Sequence, residues 1–157
     1  MTSDVILTGN KEQFLEHLKS LTFLYVEDEE DVREQFGQFL CRLSAKLITA
    51  RNGIEGVNAY HEHAPDIIIT DIHMPEMDGL SMVSKIREQD KTVPIIVLTA
   101  FGQSSYLIKS IDLGVEKYIT KPVYIQEFQE ALLACAHQML KKQQKQACQE
   151  IISAIEN

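Results

Sequence analysis

Cysteine is scarce in this 157-residue chain, and its placement excludes two kinds of site. Cys41, Cys135 and Cys148 are odd in number, lie far apart and form no Cys-x-x-Cys pair. A zinc site or a disulfide framework would need paired spacing. We therefore expect free thiols in a reducing compartment.

Basic residues and long apolar runs are also lacking. Lysine and arginine total 15 against 23 acidic residues, so the net charge is −8. This balance disfavours nonspecific binding of nucleic acids and anionic membranes. No apolar run approaches the roughly 20 residues of a membrane span, and residues 1–10 lack the features of a secretory signal. We expect a cytoplasmic protein that binds neither membranes nor nucleic acids directly.

Short runs rich in β-branched residues alternate with amphipathic segments of helical length. The predicted strands are residues 22–26, 46–50, 66–70, 95–98 and 117–120, and the predicted helices are residues 30–43, 54–63, 80–88, 104–113 and 125–140. This alternation predicts an α/β fold, a parallel sheet with helices on both faces. Five such units fit a doubly wound (βα)5 sheet with strand order 2-1-3-4-5.

Two extensions flank this predicted core. Phe14, Leu15 and Leu18 have helical spacing and predict a short N-terminal helix within residues 11–20. Good helix formers after Leu140 predict an extended C-terminal helix. We therefore divide the chain into an extension (1–20), a core domain (21–140) and a helical extension or linker (141–157). A solvated helix, a dimer helix and a linker to a further domain are all open for the last segment.

Polar side chains follow four of the predicted strands. Glu27 and Asp28 follow the first strand, Asp71 the third, Thr99 the fourth and Lys121 the fifth. The carboxyl ends of these strands meet at one crevice where the strand order reverses. The sequence therefore predicts three carboxylates, a hydroxyl and an ammonium in one site.

These groups suit phosphoryl transfer with a divalent cation. Clustered carboxylates raise one another's pKa unless a cation lies among them, and oxygen ligands suit Mg²⁺. Glu27 and Asp28 are candidate ligands, and Asp71 is a candidate ligand and nucleophile, because carboxylates that form aspartyl phosphates are an established class. The metal, Lys121 and Thr99 would then surround the phosphoryl oxygens.

Each of these residues also has an ordinary structural interpretation when taken alone. Acidic residues often begin a helix, Asp71 could cap a turn, Thr99 could be a buried hydroxyl and Lys121 a surface cation. The prediction depends on their occurrence together at four strand ends. A cis bond between Lys121 and Pro122 would turn the ammonium back into the site.

The combined motifs resemble the receiver domain of two-component response regulators, over about residues 21–139. The matching segments are residues 24–29 (LYVEDE), 65–71 (PDIIITD), 74–75 (MP), 77–79 (MDG), 94–100 (PIIVLTA), Gly114 and 118–122 (YITKP). By position, the resemblance implies that Asp71 is the phosphoacceptor and that Glu27 and Asp28 bind Mg²⁺, for which Mn²⁺ could substitute. It also implies that the main-chain carbonyl of His73 is a further ligand.

The resemblance further implies a switch rather than an enzyme with an external substrate. A sensor histidine kinase or a phosphotransfer protein would phosphorylate the domain, which would catalyse only its own phosphorylation and dephosphorylation. Thr99 would be the switch hydroxyl, Lys121 the phosphate-contacting lysine and Tyr118 the aromatic switch residue. The face formed by residues 104–113, 117–120 and 125–140 would then change and contact a partner, an output domain or a second copy. The C-terminal helix is an alternative dimer contact. The resemblance also assigns His73 and Phe101 to the two positions beside the site that tune dephosphorylation in the family, and we expect the bulky Phe101 to hinder attacking water.

Three other functions fit this sequence less well. A haloacid-dehalogenase-type phosphatase would have a second aspartate two residues after Asp71, where His73 stands. A flavodoxin would have a hydroxyl- and glycine-rich loop after the first strand, where Glu27 and Asp28 stand. A pseudo-receiver that acts only as a binding module would normally lack Asp71 or Lys121.

Overall fold

The computed structural model describes residues 11–100 and 104–157. The strands are β1 Thr22–Val26, β2 Lys46–Ala50, β3 Ile67–Asp71, β4 Ile95–Thr99 and β5 Lys117–Thr120. The helices within the described residues are α1 at residues 11–18, α2 Glu30–Leu43, α3 Gly53–His63, α4 Gly79–Gln89, α5 Ser104–Asp112 and α6 Ile125–Glu156. The strands pair in parallel in the order β2-β1-β3-β4-β5, which confirms the predicted fold class.

Alternate residues of the central strands face opposite layers of the core, as the period-two geometry of a strand requires. Phe23 and Tyr25 of β1 belong to a cluster that includes Leu18, Leu40 and Phe128 from α1, α2 and α6. Their neighbours Leu24 and Val26 belong to a second cluster, with Leu80, Met82, Val83 and Ile86 of α4. Both faces of the sheet are therefore covered, and the apolar runs of β3 and β4 are buried along their whole length.

The observed element boundaries differ from the predicted ones by one or two residues. Asp66 precedes β3 and its carboxylate accepts the Thr22 N–H at 2.8 Å, whereas Asp71 is still paired within the sheet, opposite Leu98. Helix α5 ends at Asp112, shortly before Gly114, which has a φ of +68°. The Lys121–Pro122 peptide bond is cis, as the sequence analysis suggested.

Helix α6 is a single helix of 32 residues, so the predicted continuation past the core is confirmed. Every residue from Lys141 onward is exposed. None of the helices in the described part of the chain has the length and apolar character that a membrane crossing requires.

Asp90 organises the loop between α4 and β4. Its carboxylate accepts the N–H groups of Thr92 and Val93, the Thr92 hydroxyl and the Tyr60 hydroxyl, at 2.8 to 3.0 Å. Burial opposes ionisation, but the hydrogen bonds outweigh it and lower the pKa of Asp90 to about 2. The ionised carboxylate therefore stabilises the folded chain.

We expect Asp90→Asn to flatten the pH dependence of stability. Because the pKa is lowered on folding, the stabilisation by Asp90 is present above its unfolded value and is lost as the pH falls through about 2. The wild type should lose about 1 kcal/mol more than the variant between pH 5 and pH 2, a figure reduced for solvent screening. Denaturant unfolding at several pH values measures this difference, and parallel curves would contradict it.

Candidate functional site

The candidate site lies at the carboxyl ends of β1, β3, β4 and β5. Glu27 follows β1, Asp71 ends β3, Thr99 ends β4 and Lys121 follows β5. Strands β1 and β3 are neighbours in the sheet, and the chain order reverses there. Open α/β sheets form their binding crevices at such a reversal.

Three acidic residues form a compact cluster in this crevice. Glu27, Asp28 and Asp71 each offer a carboxylate oxygen, and these oxygens all lie within 4.8 Å of one another. Glu27 is 2% exposed and Asp71 is 8% exposed, whereas Asp28 faces solvent. Two of the three charges are therefore poorly solvated, and the third leaves an opening to water.

Lys121 provides the positive charge of the cluster. Its Nζ lies 2.7 Å from Asp71 Oδ2 and 3.2 Å from Glu27 Oε2. Burial lowers the pKa of Lys121, but the hydrogen bond and charge of Asp71, together with Glu27, outweigh that effect and raise it. The ammonium therefore stays protonated and holds the two buried carboxylates together.

The positive charge of the Lys121 ammonium does not fully neutralise the negative charge of the acidic cluster. Burial is the main cause that raises the pKa of Glu27 to about 7, and the charge of Asp71 adds to it. The Glu29 N–H and Lys121 act in the opposite direction but do not restore the usual value. A compact set of carboxylate oxygens with excess negative charge fits Mg²⁺, a hard cation that prefers oxygen ligands.

The main chain around Asp71 is held by close contacts. Asp71 Oδ1 accepts the Ile72 N–H at 2.6 Å, and the Thr70 hydroxyl donates to the Asp71 carbonyl at 2.8 Å. The Gly79 N–H donates to the Ile72 carbonyl at 2.8 Å. A Cβ at position 79 would overlap the Asp71 carbonyl, so only glycine allows α4 to begin this close to the site.

The remaining predicted site residues are His73, Thr99, Tyr118 and Phe101. His73 is exposed, lines the same cleft and makes an edge contact with the Tyr106 ring at 5.3 Å. Thr99 is buried at the end of β4, and its carbonyl accepts the Lys121 N–H at 2.7 Å. Tyr118 pairs with Val97 and packs against the second core cluster. Phe101 lies outside the described residues.

Two residues near the cluster were missed by the sequence analysis. Arg33 of α2 donates from Nη1 to the main-chain carbonyls of Glu27 and Asp28, at 2.9 and 3.4 Å. Tyr25 lines the cleft beside Asp71 and Lys121. Burial, then the charges of Glu27 and Asp71, raises the pKa of Tyr25, so its phenol stays protonated. Period-two spacing from Glu27 could have identified Tyr25, whereas no side-chain pattern signals a contact between Arg33 and main-chain carbonyls.

Comparison with known proteins gives a consistent result. Residues 23–133 match the family model described as the response regulator receiver domain. The chain is 36% identical over 111 residues to a probable transcriptional regulator, ycf27, of Guillardia theta, a match over 71% of this chain and 43% of that protein. It is 34% identical over 110 residues to the chemotaxis protein CheY of Bacillus subtilis, over 69% of this chain and 92% of that protein. The chain thus spans less than half of the first relative and nearly all of the second.

Solved structures of the same fold are also similar. The N-terminal domain of an uncharacterized protein from Wolinella succinogenes has a TM-score of 0.72 and 36% identity, over 78% of this chain and 99% of that one. A chain of the CheX–CheY–BeF3–Mg complex from Borrelia burgdorferi has a TM-score of 0.67 and 29% identity, over 73% and 87%. From the matched residues and the shared fold, we conclude that this chain belongs to the response regulator receiver domain family.

Proposed function

We propose that this chain is a phosphorylation switch in which Asp71 accepts a phosphoryl group in a Mg²⁺-dependent reaction. Receiver domains are regulatory phosphoacceptors rather than enzymes that turn over an external substrate. The observation that carries the proposal for this chain is the contact of Lys121 with both Asp71 and Glu27 inside the acidic cluster. This arrangement places a cation beside the carboxylate that would react.

The reaction would transfer the phosphoryl group from a phosphohistidine. The phosphorus–nitrogen bond breaks, a bond forms between phosphorus and an Asp71 carboxylate oxygen, and the imidazole leaves. Glu27, Asp28, Asp71 and the His73 carbonyl would hold Mg²⁺ or Mn²⁺, which when bound supplies positive charge to the phosphoryl oxygens. Lys121 already lies 2.7 Å from Asp71 and would accompany the new anion.

The signal would leave the site through β4 and β5. The Thr99 hydroxyl would move towards the phosphoryl group and bind it. The Tyr118 side chain would then swing inward, after Thr99. The Lys121 N–H bond to the Thr99 carbonyl supports this route, because it ties the two strand ends together. The output face would be formed by α5, β5 and the first part of α6, where large apolar side chains are exposed: Leu107, Ile108, Ile111, Tyr124 and Ile125.

A sensor histidine kinase or a phosphotransfer protein would be the phosphoryl donor, in the cytoplasm. The downstream target would be an output domain, a separate partner or a second copy of the chain, which would bind this output face. Helix α6 is an alternative contact, since Ile151, Ile152 and Ile155 are 54 to 78% exposed beyond the core. In this proposal residues 21–140 are the switch, and residues 1–20 and 141–157 are its extensions.

Incubation with acetyl phosphate tests the proposal. We expect incorporation of one phosphoryl group per chain, seen by intact mass, with Mg²⁺ present and none with excess chelator. Glu27→Gln should lower the incorporation rate strongly, because it removes a buried candidate ligand, whereas Glu62→Gln, at an exposed carboxylate on α3, should not. Labelling that is equally fast without a divalent cation would contradict the proposal.

Binding of Mg²⁺ should also stabilise the folded chain. A cation that binds only the folded state adds about 2.7 kcal/mol to the free energy of unfolding at one hundred times its dissociation constant. Thermal unfolding at increasing Mg²⁺ measures this effect, and it should be lost in Glu27→Gln. An unchanged midpoint at all Mg²⁺ concentrations would count against a cation site in the cluster.

A further inference from the structure

Tyr25 places a hydroxyl in the wall of the candidate site. It lies on β1 two residues before Glu27, so the two side chains leave the strand on the same face. Its partner in β3 is Ile69, which lies two residues before Asp71. Tyr25 is therefore one step below the acidic cluster, on the side of the sheet that α2 and α6 cover.

The Tyr25 ring is held in one position by aromatic packing. The residue is 1% exposed. Its ring makes an edge contact with Phe36 of α2, with centroids 5.4 Å apart, and Phe36 makes a similar contact with Phe128 of α6 at 5.1 Å. A ring packed between two helices and the sheet cannot turn its hydroxyl away from the cleft without disrupting the core.

The hydroxyl is a hydrogen-bond donor with no protein partner in the described part of the chain. Tyr25 lines a cleft of about 610 Å³ together with Asp28, Asp71, His73 and Lys121. No described group forms a hydrogen bond with its hydroxyl. The hydroxyl is not among the buried side-chain atoms of the described residues that lack a partner, so it is open to the cleft. A donor fixed there bonds to water or to an acceptor that enters the cleft.

We infer that Tyr25 is a further phosphoryl-binding residue, whose hydroxyl donates, directly or through one water, to the phosphoryl group carried by Asp71. The inference rests on the proposed function. The two Asp71 oxygens already accept the Ile72 N–H and the Lys121 ammonium, whereas a phosphoryl group brings three new acceptor oxygens into the cleft. A neutral donor would stabilise that group without adding to the charge of Lys121.

Tyr25→Phe tests the inference, because it removes the hydroxyl and keeps the ring that packs on Phe36. With saturating Mg²⁺, we expect the affinity for beryllofluoride, a phosphoryl mimic, and the rate of labelling by acetyl phosphate each to fall about fivefold, the effect of one neutral hydrogen bond. The Mg²⁺ affinity and the melting temperature should stay unchanged. Tyr60→Phe is the matched control, since the Tyr60 hydroxyl binds Asp90 and does not line the cleft.

The outcomes separate this inference from the proposed function. If the wild type is labelled and binds beryllofluoride and Tyr25→Phe does both equally well, the inference is wrong and the proposed function stands. If Tyr25→Phe lowers the Mg²⁺ affinity and the melting temperature together with the beryllofluoride affinity, Tyr25 has a structural role and the inference is wrong. A wild type that takes no label at all would contradict the proposed function and, with it, the inference.

Discussion

Asp71→Asn is expected to abolish phosphorylation of this chain by acetyl phosphate. An amide cannot attack the phosphoryl group as a carboxylate does, and it also removes one of the three candidate metal ligands. The fold should persist, because the amide oxygen can still accept the Ile72 N–H that Asp71 Oδ1 accepts. The measurement is phosphoryl incorporation by intact mass with saturating Mg²⁺.

Asp66→Asn is the matched control for this substitution. Asp66 precedes β3 and Asp71 ends it, and the Asp66 carboxylate accepts the Thr22 N–H, away from the acidic cluster. The same chemical change there should leave labelling intact. Continued labelling of Asp71→Asn would instead identify a different acceptor, with Asp28 the first to examine because it is the exposed member of the cluster.

Gly79→Ala is expected to have the largest effect on stability. A Cβ at this position would overlap the carbonyl of Asp71. The Thr70 hydroxyl donates to that carbonyl, so moving it away from the new methyl group would also disturb this hydrogen bond. We expect the free energy of unfolding to fall by about 2 to 4 kcal/mol. Labelling should fall as well, since the added methyl group displaces the main chain of Asp71. Denaturant unfolding and acetyl phosphate labelling measure the two effects.

Gly37→Ala provides the comparison. Gly37 is also a buried glycine, within α2, but a Cβ there would make only an ordinary contact with Leu47 at 3.6 Å. The substitution should be neutral or stabilise the chain by about 0.5 to 1 kcal/mol, because alanine is the better helix former. Equal losses in the two variants would show that the contact with Asp71 is not the cause.

Most of the fold could be predicted from local patterns. The β-branched runs and helical spacings identified each strand and helix of the core, because burial on one or two faces imposes a period on apolar residues. The boundaries were less predictable. Asp66 and Asp71 look alike beside the same apolar run, and only pairing with β4 places Asp71 inside the strand and leaves Asp66 outside it.

The sequence by itself determined which chemical groups follow the strands and therefore that three acids, a hydroxyl and an ammonium would share one edge of the sheet. Tertiary structure decided how these groups meet. Lys121 contacts Asp71 and Glu27, which are distant from it in the chain. Gly79 approaches the Asp71 carbonyl, and Arg33 donates a hydrogen bond to the Glu27 carbonyl, so both of these contacts involve the main chain. A local pattern records which side chain occurs at which position, whereas such contacts depend on how whole elements pack in three dimensions.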